Sequence, residues 1–201
     1  MSRLKPKPRP YHHGDLPVAL LMAAERLIEE QGVDAFSLRE VARRAGVSAA
    51  APAHHFGDAR GLLTRLAAQG FQGLGDALAA ADDRKFDRES RIRAQGIAYV
   101  KFAMAHPGRF TLMWRNALLD FDDPELGQAS QRAFQTLDRA VRGDVAVGSP
   151  GDPACAPSIA CWSIAHGFAL LSMSGAFGVG EEVADAAQRQ MLPAVLAFLS
   201  V

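Results

Sequence analysis

The stretch Ser37-Leu-Arg-Glu-Val-Ala-Arg-Arg-Ala-Gly46-Val-Ser48-Ala-Ala-Ala-Pro52-Ala-His-His-Phe56 decides how the chain is organised. Ser37 and Glu40 have the spacing of a capping box, in which the serine hydroxyl caps the Glu40 amide and the carboxylate reaches back. A short helix follows, with Leu38, Val41 and Ala42 inward and Arg39, Arg43 and Arg44 outward. Gly46 supplies a left-handed residue at its end, Val47 returns to the core, and Ser48 is placed to cap a second short helix, Ala49 to about His55. Two short helices joined by a glycine turn form a helix-turn-helix, whose second helix can enter the major groove of DNA while the first crosses the backbone. An ordinary helical hairpin shares this local pattern. The capping box, the helix before it and the basic residues further upstream favour the DNA-binding reading.

Working toward the N-terminus, Leu20, Ala23, Ala24, Leu27 and Ile28 recur at three- and four-residue steps, so Asp15 to Gln31 reads as an amphipathic helix closed by Gly32. Residues 1–12 read as a flexible arm: Pro6, Pro8 and Pro10 oppose helix, and Arg3, Lys5, Lys7 and Arg9 face no acid. They are basic without a following apolar segment, which is not a secretory signal. Toward the C-terminus, Asp58 caps a long helix reaching about Ala81, striped by Leu62, Leu63, Leu66, Phe71, Leu74 and Leu78. Further helices are expected at about 88–105, 107–119, 123–147, 154–178 and 181–200, and no segment alternates like a strand. The expected fold is all-α with about nine helices: the arm (1–12), a helix-turn-helix domain (13–57) and a larger helical domain (58–201).

Charge is distributed to match. The net charge is zero, but residues 1–65 carry 10 Lys and Arg against 7 acids, leaving the remainder correspondingly acidic. No apolar run approaches the roughly 20 residues of a membrane span. Cys155 and Cys161 sit late and suggest no disulfide scaffold, so a reduced, cytoplasmic protein is expected.

These residues resemble the TetR family of repressors. The resemblance runs through Ala23-Ala24, Leu27-Ile28, Gly32, Phe36 to Ala42, Ala45 to Ser48, His55-Phe56 and Leu62-Leu63. Tyr11-His12-His13-Gly14-Asp15-Leu16, Ala105 to Phe110 and Trp162-Ser-Ile-Ala-His166-Gly167 resemble a subgroup named for a Trp/His-Gly motif in its C-terminal domain. The resemblance implies a dimeric all-helical repressor that binds a palindromic operator. The first three helices would bind DNA, the next four surround a small-molecule pocket, and the last two pair with the partner subunit. It also implies phosphate contacts from a tyrosine where Ala53 stands and a lysine where Ala59 stands; both are absent here.

No Arg, Lys, Asn or Gln lies between Val47 and Phe56, so the strongest base-reading side chains are missing from the reading element. Ala49 and Ala50 are then candidates for contact with thymine methyls, and Arg39, Arg43, Arg44, Ser48, His54, His55 and Arg60 for phosphates. Arg3 to Arg9 would enter a neighbouring minor groove. The plain alternative for the three arginines of the first short helix is a solvated face. Pro52 removes an early helical hydrogen bond and is expected to delay the start of the second helix by one or two residues.

In the larger domain, Tyr99, Phe102, Met104, Phe110, Met113, Trp114, Phe121, Phe134, Trp162 and Met173 are candidates for an adaptable apolar pocket, with His166 as a polar handle. The alternative for each is ordinary core. Residues 154–178 show a large face (Ile159, Trp162, His166, Leu170, Met173, Phe177) and a small one (Ala160, Ser163, Gly167, Ser174, Gly178). The small face, completed by Ala187, Met191, Val195 and Phe198, suits a dimer seam. There is no nucleophile–base pair, no phosphate loop and no dinucleotide glycine pattern, so neither catalysis nor a cofactor is expected. The adjacent pairs His12-His13 and His54-His55 make poor metal clamps. The sequence thus points to a ligand-responsive regulator of a double-stranded DNA operator, acting as a homodimer released by a small apolar molecule, with no membrane partner. The rival reading is a helical small-molecule-binding protein that has lost specific DNA recognition.

Overall fold

A computed structural model describes residues 16–143, 148–178 and 180–198. The expected basic arm and the Tyr11–Asp15 opening lie outside the described residues. Within them the chain is all helix: α1 (Leu16–Gln31), α2 (Leu38–Ala45), α3 (Ala51–Phe56), α4 (Ala59–Ala80), α5 (Arg88–Ala105), α6 (Pro107–Met113), α7 (Pro124–Arg142), α8 (Ala156–Met173), α9 (Glu181–Ala186) and α10 (Leu192–Leu196). A five-residue π turn, Ala187–Met191, joins α9 to α10.

The caps explain most boundaries. Asp58, Asp87 and Asp123 accept hydrogen bonds from first-turn amides of α4, α5 and α7, satisfying donors a helix start leaves free. Gly46 ends α2 at φ 70°, a left-handed conformation that suits glycine. One sequence expectation needs correction here, and another is met. Ser37 makes no side-chain cap, and the Glu40 carboxylate turns forward to Arg43 and Arg44 instead of back. The second helix of the motif starts at Ala51, within the one- or two-residue delay expected from Pro52, which takes its second position, where a missing N–H costs nothing.

Three later helices are also shorter than their apolar patterns. The expected 107–119 helix stops at Met113 and yields to a 3₁₀ turn at Asn116–Leu118. α7 stops at Arg142, where Gly143 takes φ 79°. α8 stops at Met173, followed by Gly175 at φ 74°.

One apolar core runs from the N-terminal helices into the body. Leu20, Leu27 and Ile28 of α1, Leu62 and Leu66 of α4, Phe110 and Leu112 of α6 and Leu126 of α7 are all fully buried. α4 is the central helix, packing on α7, α6, α5, α3 and α1. α8 packs on α5, α7 and α10. By length and composition Pro153–Met173 is apolar enough to cross a membrane, contrary to the sequence expectation. Its Ser158, Cys161, Ala165, Phe168, Ala169 and Ser172 form a buried stripe along one side of the helix.

Candidate nucleic-acid interface and effector cavity

The reading head has an unusual surface. Ser48, Ala49, Ala50, Ala53, His54 and His55 are exposed around α3, and among them only the two histidines can carry positive charge. Arg39 is exposed on α2. Arg43 and Arg44 are both drawn onto Glu40: Arg43 donates from Nε and Nη2 at 2.8 and 2.6 Å, and Arg44 from Nε at 2.9 Å. Arg44 also reaches Glu30 at 2.7 Å and is mostly covered. Hydrogen bonds from Arg43 and Arg44 hold the Glu40 carboxyl at about 2, so it stays anionic at any ordinary pH. Two of the three α2 arginines expected at phosphates are therefore locally neutralised. Arg60 is exposed, but its Nη2 donates to the Leu119 carbonyl at 2.6 Å and so ties the start of α4 to the body.

Behind the head lies a cavity of about 370 Å³. Its walls come from α4 (Phe71, Leu74, Leu78), α5 (Ile92, Gln95, Tyr99), the end of α6 (Met113, Trp114), α7 (Ser130, Phe134, Leu137) and α8 (Cys161, Trp162, Ala165). Exposed Asn116, Phe121, Gln131, Ser149 and Pro150 contribute at its outer side. No Asp, Glu, Lys, Arg or His is among the described lining residues. Six of the eleven pocket candidates lie on this wall: Tyr99, Met113, Trp114, Phe121, Phe134 and Trp162.

Five do not. Phe110 is fully buried beneath the wall, edge-on to Tyr99 at 5.6 Å. Phe102 packs on His106 and closes over Gly73. Met104 and Met173 are half-buried against the core. The Tyr99 hydroxyl is hydrogen-bonded to His166 Nδ1 at 2.8 Å, and it accepts from Trp162 Nε1 at 3.1 Å. Burial lowers the pKa of His166, which favours the neutral imidazole. The Trp and His of the motif thus lock α8 to α5, and neither offers its bonded polar atom to the cavity.

Two features escaped the sequence reading. Gln95 is fully buried on the cavity wall; its Nε2 donates to the Thr136 carbonyl at 3.4 Å, while its Oε1 has no partner. Nearby in the fold, the buried Asp138 carboxylate receives two bonds from Arg142 at 2.6 Å and one from Ser158 Oγ at 2.7 Å. Nothing in a helix-period pattern marks a glutamine or an aspartate as core, so neither was visible beforehand. Among the described residues no group of three His, Cys, Asp or Glu is placed to hold a metal ion.

The cavity and the head meet through α6. At its first turn the Glu29 carboxylate of α1 accepts from the Gly108 amide at 2.9 Å and the Arg109 amide at 3.1 Å. Arg109 pairs with Glu25 of α1, and Arg115, just past α6, with Asp34. At its last turn Met113 and Trp114 form cavity wall.

The dimer-seam candidates divide. Ala160 and Ser163 of α8 and Ser174 just past its end are exposed, and Gly167 is half-buried with open space where a Cβ would stand. Leu170 (46% exposed) and Leu171 (49%) join this face, although the sequence pattern grouped Leu170 with the large residues. Gly178, Met191 and Phe198 are exposed, and Val195 is half-buried against the core. Ala187 is buried within the subunit, where the π turn tucks it, and cannot contribute to a seam.

Sequence comparison agrees with this architecture. Residues 20–66 match the model described as bacterial regulatory proteins, tetR family, and residues 92–194 match that of the tetracyclin repressor-like C-terminal domain. A protein of unknown function from Rhodococcus sp. RHA1 is 36% identical, with 93% of this chain and 98% of that one covered and a TM-score of 0.71. The chain belongs to the TetR family. Its fold is also that of the TetR family transcriptional regulator PfmR from Thermus thermophilus, at 22% identity over 89% of this chain and 97% of that one, TM-score 0.65. The TetR-like regulator LfrR from Mycobacterium smegmatis, solved in complex with proflavine, shares it at 16% identity over 92% and 95%, TM-score 0.63. No curated protein gives a significant sequence match. In this TetR-family chain the helix-turn-helix of α2 and α3 is the DNA-binding element, and the helical body is the C-terminal domain.

Proposed function

We propose that this protein is a ligand-responsive transcriptional repressor that binds a palindromic operator as a homodimer and releases it when a small, mainly apolar molecule fills the cavity. The observation that carries the reading is the double role of α6, which is cavity wall at one end and is bonded to α1 of the head at the other. A molecule that binds better when Met113 and Trp114 are displaced favours a different head position, and it shifts the equilibrium by that difference in affinity alone. The neighbour of this fold solved with proflavine supports a small-molecule role for the body. The exposed Leu170, Leu171 and small residues of α8 supply a face for a second copy, which a palindromic site requires. DNA contact comes from α3, Arg39 and the N-terminal arm, and a regulator of this kind acts in the cytoplasm by binding, without turnover.

A second reading has a specific basis: α3 exposes alanines and histidines with no base-reading Arg, Lys, Asn or Gln. It describes a small-molecule-binding protein without sequence-specific DNA recognition. One experiment decides between them. Fluorescence anisotropy with DNA from upstream of the protein's own gene, across a salt series, is expected to show two chains per site and a preference over scrambled DNA. Equal affinity for both DNAs would refute the repressor and leave the second reading.

A further inference from the structure

We propose that the cavity selects a neutral, ring-based molecule carrying a hydrogen-bond donor, and that Gln95 is the residue that reads this donor. The inference rests on the preceding proposal that the cavity is the effector site. Three observations define the chemistry. First, the wall is aromatic and aliphatic where it is deepest, with Phe71, Trp114, Phe134 and Trp162 around it, so a flat apolar body finds ring contacts on several sides. Second, no charged side chain lies on the described wall, so an ionised ligand would lose its water with nothing to compensate it. Third, the polar atoms of the inner wall are unevenly used. The Tyr99 hydroxyl is already engaged by Trp162 and His166.

Gln95 Oε1 is buried and empty-handed, and so is Trp114 Nε1. The bond from Gln95 Nε2 to the Thr136 carbonyl turns the amide so that its oxygen is the free end. A buried carbonyl oxygen without a partner is costly, and a ligand donor that reaches it recovers that cost on binding.

Calorimetric titration of the full-length protein with four naphthalenes of similar size tests the assignment. 2-Naphthol is neutral and donates; 2-methoxynaphthalene is neutral without a donor; naphthalene is apolar; 2-naphthoate is anionic. The expected order is 2-naphthol about tenfold tighter than 2-methoxynaphthalene or naphthalene, as one recovered buried hydrogen bond would give. 2-Naphthoate should bind at least about a hundredfold weaker than 2-naphthol. In Gln95→Leu the advantage of 2-naphthol over 2-methoxynaphthalene should vanish while binding of naphthalene persists. The proposal is overturned if the wild-type protein takes 2-methoxynaphthalene or 2-naphthoate as well as 2-naphthol, whether or not the variant folds. It is equally overturned if the folded variant keeps the preference. Failure of all four to bind would instead remove the cavity as a ligand site altogether. Selective binding of 2-naphthol with no effect on DNA affinity would leave the Gln95 assignment standing and count against the regulatory mechanism.

Discussion

Replacing Glu40 with glutamine should strengthen DNA binding, which is an unusual outcome for a change on the head of a regulator. In the wild type Arg43 spends both Nε and Nη2 on Glu40, although its side chain is 71% exposed and stands on the outward side of α2. Because Glu40 is held at about 2, no accessible pH releases that arginine. Glutamine keeps the size and helix preference of the side chain but gives up its charge. Arg44 would stay tethered through Glu30, so the change frees one guanidinium per head. Each additional phosphate neutralised steepens the dependence of log K on log salt by about 0.9, or about 1.8 for two heads. Between 50 and 200 mM salt that slope corresponds to an extra loss of about tenfold in affinity, on top of tighter binding at low salt. The assay is anisotropy with the upstream DNA fragment across that salt range, with circular dichroism to verify the fold; exposed ion pairs contribute little to stability, so the melting point should hardly move. An unchanged salt slope in a folded Glu40→Gln protein would show that the outward face of α2 does not approach DNA.

Two further outcomes follow from particular contacts. Asp138→Ala should lower stability by about 3–5 kcal/mol, as breaking a buried ion pair does, or roughly 6–20 °C in melting temperature. The wild-type carboxyl is depressed to about 2 by Arg142 first and Ser158 after it, so its contribution is complete above the unfolded value near about 3.9 and disappears as pH falls toward 2. Acid titration of the melting temperature should show this loss in the wild type and lack it in the variant. Leu170→Asp with Leu171→Asp should convert a dimer to a monomer at micromolar concentration in sedimentation velocity, and a persistent dimer would place the seam elsewhere.

The helices were legible because burial imposes a period. Leu20, Leu27 and Ile28 of α1, or Leu62, Leu66 and Leu74 of α4, are core residues whose spacing alone gave the element and its inward side. The later start of α3 was readable from Pro52, since a ring with no N–H tolerates few helical positions. What failed were choices between competing partners. Glu40 has a back-reaching option and two arginines one turn ahead, and sequence order does not rank a neutral amide against two cations. Leu170 was grouped with the large residues rather than with the small face; its neighbours in space are set by how α8 lies across α5 and α7, which no local pattern encodes. The Tyr99, Trp162 and His166 chain spans more than sixty positions, so the motif residues were visible but their use was not.

The α6 joint bears on whether the two halves of the protein are interchangeable parts. A seven-residue helix is only about 10 Å long. The cavity residues Met113 and Trp114 and the head-bonded residues Gly108 and Arg109 therefore belong to one rigid piece, and the boundary near position 57 cuts the chain without cutting this piece. Grafting the helix-turn-helix of another regulator onto this body would have to carry over Glu25, Glu29 and Asp34 as well as the reading helix. A head swapped in at position 57 without those three carboxylates would lose the bonded link to α6 and meet the body only through packing on α4 and α6.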